Sequence, residues 1–89
     1  MVRSFTLHQN FPNPFNPSTI IQFDLGRSEH VKLSVFTVLG QLLTTLVDAT
    51  IEAGSHTIQF HPESLPSGVY LYRLQTGTGT ETRKMILTR

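Results

Sequence analysis

Cysteine is absent from the 89 residues, which excludes disulfides and thiolate-based metal or redox sites. No stretch approaches the roughly 18–20 consecutive apolar residues of a transmembrane helix, and the opening MVRSFTLHQN lacks the apolar run of a signal peptide. Positive charge is not concentrated either. Seven Lys and Arg are scattered among six Asp and Glu for a net charge of +1, and Arg83–Lys84 is the only adjacent basic pair. A nucleic-acid binder gathers its cations on one face, so this balance argues against that class.

The residues of catalysis are also missing their patterns. His8, His30, His56 and His61 include no pair at the spacing of a zinc helix, and Asp24, Asp48, Glu52 and Glu63 do not follow a calcium loop. His56 and His61 are five apart, which puts them on opposite faces of a regular strand. Gly77-Thr78-Gly79-Thr80 lacks the lysine and the strand-to-helix setting of a phosphate loop, and Ser67-Gly68 is not a nucleophile elbow. The chain is therefore expected to need no cofactor or metal and not to be an enzyme. Its length allows one domain with a modest core, burying roughly 60–65 % of the surface of the unfolded chain.

What the chain does have is an Asn/Pro-rich stretch, QNFPNPFNPS, at residues 9–18. Pro12, Pro14 and Pro17 fix φ and remove three donors, so neither a helix nor a central strand forms there. Asn10, Asn13 and Asn16 offer Asx-type bonds to their own or nearby backbone. Phe11 and Phe15 alternate with this polar scaffold, and both are expected to be at least partly buried. The stretch reads as a rigid, extended strap laid across the rest.

The rest reads as strands. Phe5 and Leu7 suit a brief edge strand. Thr19–Leu25 turns Ile21, Phe23 and Leu25 to one face, with the burial of Ile20 left open, and Val31–Thr37 does the same with Val31, Leu33 and Val35. Phe36 is expected to cover an edge or meet the strap. Gly40 is placed to take positive φ in a hairpin turn, with Thr37 accepting a local bond. Leu42–Val47 favours strand over helix because of Thr44 and Thr45. A polar connection over 48–52 and a turn at Gly54 lead to Ser55–His61, with His56, Ile58 and Phe60 on one side. A loop turning through Gly68, with Leu65 as a plug, precedes Val69–Thr76. That run is apolar on both faces, as in a central strand, with Tyr70, Tyr72 and Leu74 sharing one side. Gly77–Thr80 forms a hairpin tip and Glu81–Thr88 closes the domain. Six or seven short strands separated by Gly, Pro and Ser turns predict an all-β, antiparallel sandwich of about seven strands, with little or no helix.

Leu7-x-Gln9-Asn10-Phe11-Pro12-Asn13-Pro14-Phe15-Asn16-Pro17-Ser18-Thr19 resembles the opening of the C-terminal sorting domains of the type IX secretion system. The resemblance continues through Val38-Leu39-Gly40, Ala53-Gly54-x-His56, Leu65-x-Ser67-Gly68-Val69-Tyr70-x-Tyr72-Arg73-Leu74 and Lys84-Met85. The family commonly has proline where this chain has Gly26, tyrosine at position 36, Asp or Asn at position 37, and histidine at position 56. The resemblance implies an immunoglobulin-like fold over residues 5–89, with residues 1–4 an expression start or linker. It also implies a non-catalytic module that directs an attached N-terminal cargo, through the periplasm, to the type IX outer-membrane translocon. A sortase-like surface protease would then remove it, leaving the cargo at the outer-membrane surface or outside the cell. An N-terminal export signal is expected upstream of Met1.

The candidate recognition elements are the strap (Asn10, Phe11, Pro12, Asn13, Pro14, Phe15, Asn16 and Pro17) and the closing segment Lys84, Met85, Ile86 and Leu87. A terminal strand with free main-chain groups would suit β-augmentation. Two other readings fit the same pattern. One is an immunoglobulin-like assembly domain similar to that of flagellar hook-capping proteins. The other is a carbohydrate-binding module with Tyr70 and Tyr72 as its aromatic platform.

Overall fold

The computed structural model describes residues 5–89; the expectation for residues 1–4 lies outside the described residues. Seven strands follow in order: β1 (Phe5–Leu7), β2 (Thr19–Leu25), β3 (Glu29–Thr37), β4 (Leu42–Ile51), β5 (Gly54–Phe60), β6 (Gly68–Thr76) and β7 (Gly79–Leu87). They form two antiparallel sheets with strand orders β1-β2-β5 and β4-β3-β6-β7. This is the immunoglobulin-type division into two facing sheets, with the fourth strand joined to the larger sheet.

Period-two alternation builds the core. Ile21, Phe23 and Leu25 of β2 face Val31, Leu33 and Val35 of β3, Tyr70, Tyr72 and Leu74 of β6, and Met85 and Leu87 of β7. β6 is central, between β3 and β7, with Tyr70, Tyr72 and Leu74 buried on its inner face and Val69 and Leu71 on its outer one. The burial of Tyr70 and Tyr72 overturns the sugar-platform expectation. Their rings lie inside the sandwich, with no face left to stack on a glycan.

Three boundaries differ from the sequence reading by more than one residue. β3 begins two residues early, at Glu29. β4 runs through Asp48 to Ile51, where a polar connection was expected, because those residues pair in register with Glu29–Lys32. The last hairpin is tighter than read: Thr76 pairs with Gly79, leaving Gly77 and Thr78 as the turn. Gly40 and Gly54 do adopt positive φ, at 89° and 123°. Thr37 braces the Gly40 turn, its hydroxyl accepting the Gln41 N–H at 3.1 Å. Gly68 is not a turn residue. It opens β6 opposite Leu87, and the chain reverses before it, over Pro62–Ser67.

The strap is bent rather than uniformly extended, with two single-residue bridges separated by bends and cis peptide bonds before Pro12, Pro14 and Pro17. Phe15 is buried at 1 % exposure, its ring centroid 6.2 Å from that of Phe60. Phe11 is the opposite of the expectation, at 79 % exposed. The reason is pairing: Phe11 bridges Ile20 through reciprocal hydrogen bonds of 3.0 and 2.9 Å. Thr19 and Ile21 point inward, so Ile20 points outward at 41 % exposure, and the residue directly across from it must do the same.

The two phenylalanines should therefore part company in unfolding experiments. Phe15→Ala is expected to cost about 3–5 kcal/mol, whereas Phe11→Ala should stay within about 0.5 kcal/mol of the parent. Denaturant titration of both variants measures the difference, and equal losses would contradict the placement of the rings.

Candidate functional site

The edge of β7 is where the strap and the closing segment meet. An edge strand leaves every second N–H and C=O without a partner, and here the strap supplies them. Phe15 N–H donates to the Ile86 carbonyl at 2.9 Å, and Thr88 N–H to the Phe15 carbonyl at 3.0 Å. Asn13 Oδ1 accepts the Ile86 N–H at 2.9 Å, and Gln9 Nε2 donates to the Lys84 carbonyl at 2.7 Å. Further along, Glu81 Oε1 accepts the Leu7 N–H at 3.0 Å, and Arg83 Nε donates to the Leu7 carbonyl at 2.6 Å. These last two bonds stitch β7 to β1 of the other sheet. Local Asx bonding was expected of Asn13; its partner lies 73 residues away instead.

Two buried groups anchor the strap. The Tyr72 hydroxyl, fully buried in the core, donates to the His8 carbonyl and accepts the Asn10 N–H, both at 2.7 Å. Asn10, 2 % exposed, then satisfies its whole side chain. Its Nδ2 donates to Thr19 Oγ1 at 3.0 Å and to the Pro12 carbonyl at 3.2 Å, and its Oδ1 accepts from Gln9 Nε2 at 2.7 Å. Thr19 Oγ1 also donates to the Pro12 carbonyl at 2.9 Å. A buried amide with complete partners specifies one geometry, because any displacement leaves a desolvated polar atom unpaired.

This arrangement corrects the closing segment as a recognition element. Its main chain is not free for β-augmentation: the Lys84 carbonyl and both main-chain groups of Ile86 are already bonded to the strap. Met85 and Leu87 are core side chains. Lys84 and Ile86 alternate with them and point to solvent. Cross-strand pairing places Lys84 in a row with Leu71, Phe36 and Leu42, and Ile86 beside Val69. One end of the outer face of the larger sheet is thus apolar, bordered by Lys84 and Arg73. The Arg73 guanidinium stacks 4.3 Å from the Phe36 ring centroid, so Phe36 lies under Arg73. Of the strap residues, Phe11, Pro12, Asn13, Pro14, Asn16 and Pro17 are exposed.

The outer face of the smaller sheet carries a polar cluster that sequence reasoning missed. The Asp24 carboxylate accepts from Ser55 Oγ at 2.6 Å and pairs with His8 Nε2 at 2.6 Å. Those bonds, Ser55 first and His8 next, hold Asp24 below its ordinary carboxylate range. The carboxylate sits between serine and histidine, so the imidazole has no contact through which to deprotonate the hydroxyl, and the cluster is not a catalytic triad. His56 packs and bonds locally: Nε2–H donates to the Glu52 carbonyl at 2.7 Å and the ring lies 5.5 Å from that of Phe23. Among the described residues no three His, Asp or Glu converge as metal ligands, and no helix is long and apolar enough to cross a membrane.

The fold and the sealed edge define a small, all-β sandwich. The family model for the secretion system C-terminal sorting domain matches residues 9–88, and the chain belongs to that family, the sorting domains of type IX secretion. Such a domain is a secretion signal carried by an exported protein on its way to the outer membrane or cell surface, and it implies interaction with the type IX machinery. No curated protein and no solved structure matches the chain.

Burial pushes the Tyr72 hydroxyl up to about 12, from an ordinary value of 10.0. A raised pKa favours the neutral form in the folded state. The stability it supports is full below pH 10 and is lost as pH rises toward 12, by about 1.4 kcal/mol per pH unit at most. Ultraviolet titration should show one tyrosine ionising near pH 12 in the folded protein, and that step should vanish in Tyr72→Phe. The same substitution strands the Asn10 N–H and should cost about 1–3 kcal/mol. Ionisation of Tyr72 near pH 10 in folded protein would contradict the anchor.

Proposed function

We propose that residues 5–89 act as a non-catalytic tag that delivers an attached N-terminal cargo from the periplasm to the type IX outer-membrane translocon. The observation that carries this reading is the family match across residues 9–88, which spans the strap, both sheets and the closing strand together. Recognition falls to solvent-facing side chains. In the closing segment these are Lys84 and Ile86, with Val69 and Leu71 beside them. Met85 and Leu87 act indirectly, by keeping the sheet folded. The exposed strap residues form a second surface, led by Phe11.

A sortase-like surface protease is the proposed processing partner, and the domain is its substrate rather than a contributor of catalytic groups. Cleavage fits N-terminal to the strap, since a protease needs backbone that is not held in a sheet. The cargo then leaves or becomes attached at the cell surface.

Residues 5–89 fused behind a signal peptide and a folded reporter should export the reporter in a host with a compatible type IX system. The matched translocon mutant should keep the reporter in its periplasm. Lys84→Ala combined with Ile86→Ser should lower export while the domain stays folded, because Lys84 is exposed and Ile86 only half-buried. Met85→Ala is the structural control: it should lose about 2–5 kcal/mol of stability and lose export with it. An intact, folded fusion retained in the periplasm while a known sorting tag is exported in parallel would reject the reading.

A further inference from the structure

The hairpin joining β3 to β4 ends in side chains that its turn does not ask for. Thr37 N–H donates to the Gln41 carbonyl and Gly40 N–H to the Thr37 carbonyl, both at 2.9 Å. Val38 and Leu39 are therefore the two central residues of a tight turn. Such positions favour Asn, Asp, Ser, Gly or Pro, for reasons of local bonding and φ. Here they carry two large apolar side chains, 58 % and 92 % exposed, and neither belongs to the core. Polar residues would close the turn as well, so folding does not account for them. Exposed apolar clusters of this kind mark contact surfaces.

Apolar side chains continue back from the apex along the outer face of the larger sheet. Leu42, Phe36, Leu71 and Lys84 form one cross-strand row. Two residues of strand rise place that row about 7 Å behind Val38. The Arg73 guanidinium, stacked on the Phe36 ring, lies level with it. Lys84 and Arg73 are exposed, and among the described residues neither pairs with an acid. The acid of this outer face, Asp48, stands toward the far end of β4, bonded to His30 at 2.7 Å and opposite Lys32. Glu63, in the loop before β6, lines the cleft between β4 and β5, and the Arg89 guanidinium is bonded within the same loop. The apolar end of the face is thus cationic.

We propose that the Val38–Leu39 tip docks on a lipid bilayer that carries anionic phosphate headgroups. Val38 and Leu39 enter the acyl boundary, where interfacial insertion reaches about 5–10 Å. Arg73 and Lys84, about 7 Å behind the tip, then meet the phosphates. Two features favour lipid over a protein partner. A protein interface surrounds a buried apolar centre with a polar rim, over about 800 Å² on each side; here the most exposed apolar residues stand at a protruding apex. The cations also lie behind that apex, which matches the order of acyl chain and headgroup in a bilayer. An exported protein passing to the outer membrane or cell surface meets such a bilayer. The inference goes beyond the delivery of cargo and stands on the geometry and charge of the tip.

Vesicles test it with the purified 89-residue chain. Phosphatidylcholine vesicles with about 30 % phosphatidylglycerol should bind the chain at least tenfold more tightly than phosphatidylcholine alone, and about 1 M salt should remove most of that difference. Leu39→Asp, at an exposed position, should keep the melting temperature and bind at least tenfold more weakly. Arg73→Gln combined with Lys84→Gln should abolish the preference for phosphatidylglycerol. The chain has no tryptophan, so Leu39→Trp places a single fluorophore at the tip. Its emission should shift to the blue on the anionic vesicles. Four results would overturn the proposal: no binding at millimolar lipid; equal binding to the two kinds of vesicle; undiminished binding by Leu39→Asp; or unshifted emission from vesicle-bound Leu39→Trp. The first of these, together with loss of export in Leu39→Asp, would assign the tip to a protein partner instead.

Discussion

The hydroxyl of Tyr72 is the point on which the strap, and with it the sealed edge, depends. It is buried in the centre of the larger sheet's inner face, yet both of its hydrogen bonds go to the chain entering the strap. A phenol in an apolar core needs a partner, and an Asn/Pro-rich segment stripped of three donors by proline has carbonyls and amides to place. Each solves the other's problem. From that fixed start, Gln9, Asn13 and Phe15 fall at successive positions along β7 and occupy its edge. Phe15 then fills the end of the core against Phe60.

This has a functional consequence for a secretion signal of an exported protein. A bare edge strand is a template for pairing with any extended chain, a hazard during export. Side-chain amides and a single bridge cover β7 without adding a full strand. The specific surfaces that remain are side-chain surfaces, including the apolar patch bordered by Lys84 and Arg73. The opposite seam, at β4 and β5, is left open.

Much of the sandwich is legible in the sequence because alternation is a local signal. Ile21-x-Phe23-x-Leu25 and Val31-x-Leu33-x-Val35 state their buried faces outright, and Gly40 and Gly54 mark their own positive φ. What is not legible depends on partners far along the chain. Phe11 and Phe15 look equivalent in sequence; pairing with Ile20 turns one outward, and pairing with Leu87 turns the other inward. Tyr72 reads as a core residue, but its partner lies 62 residues away at Asn10. Lys84–Leu87 reads as an open edge because nothing local reveals that Asn13 will accept the Ile86 amide. The extension of β4 through Asp48 escapes for a different reason. An edge strand exposed along most of its length carries no apolar alternation to detect.

Amide hydrogen exchange tests the sealed edge most directly. If the strap occupies β7 as described, the amides of Asn10, Phe15, Ile86 and Thr88 exchange slowly, with protection like that of the β6 ladder. Protection at Ile86 should fall selectively in Asn13→Ala while the β6 amides are unchanged. Fast exchange at Ile86 and Thr88 in the parent protein, at rates typical of an uncovered edge strand, would contradict the account.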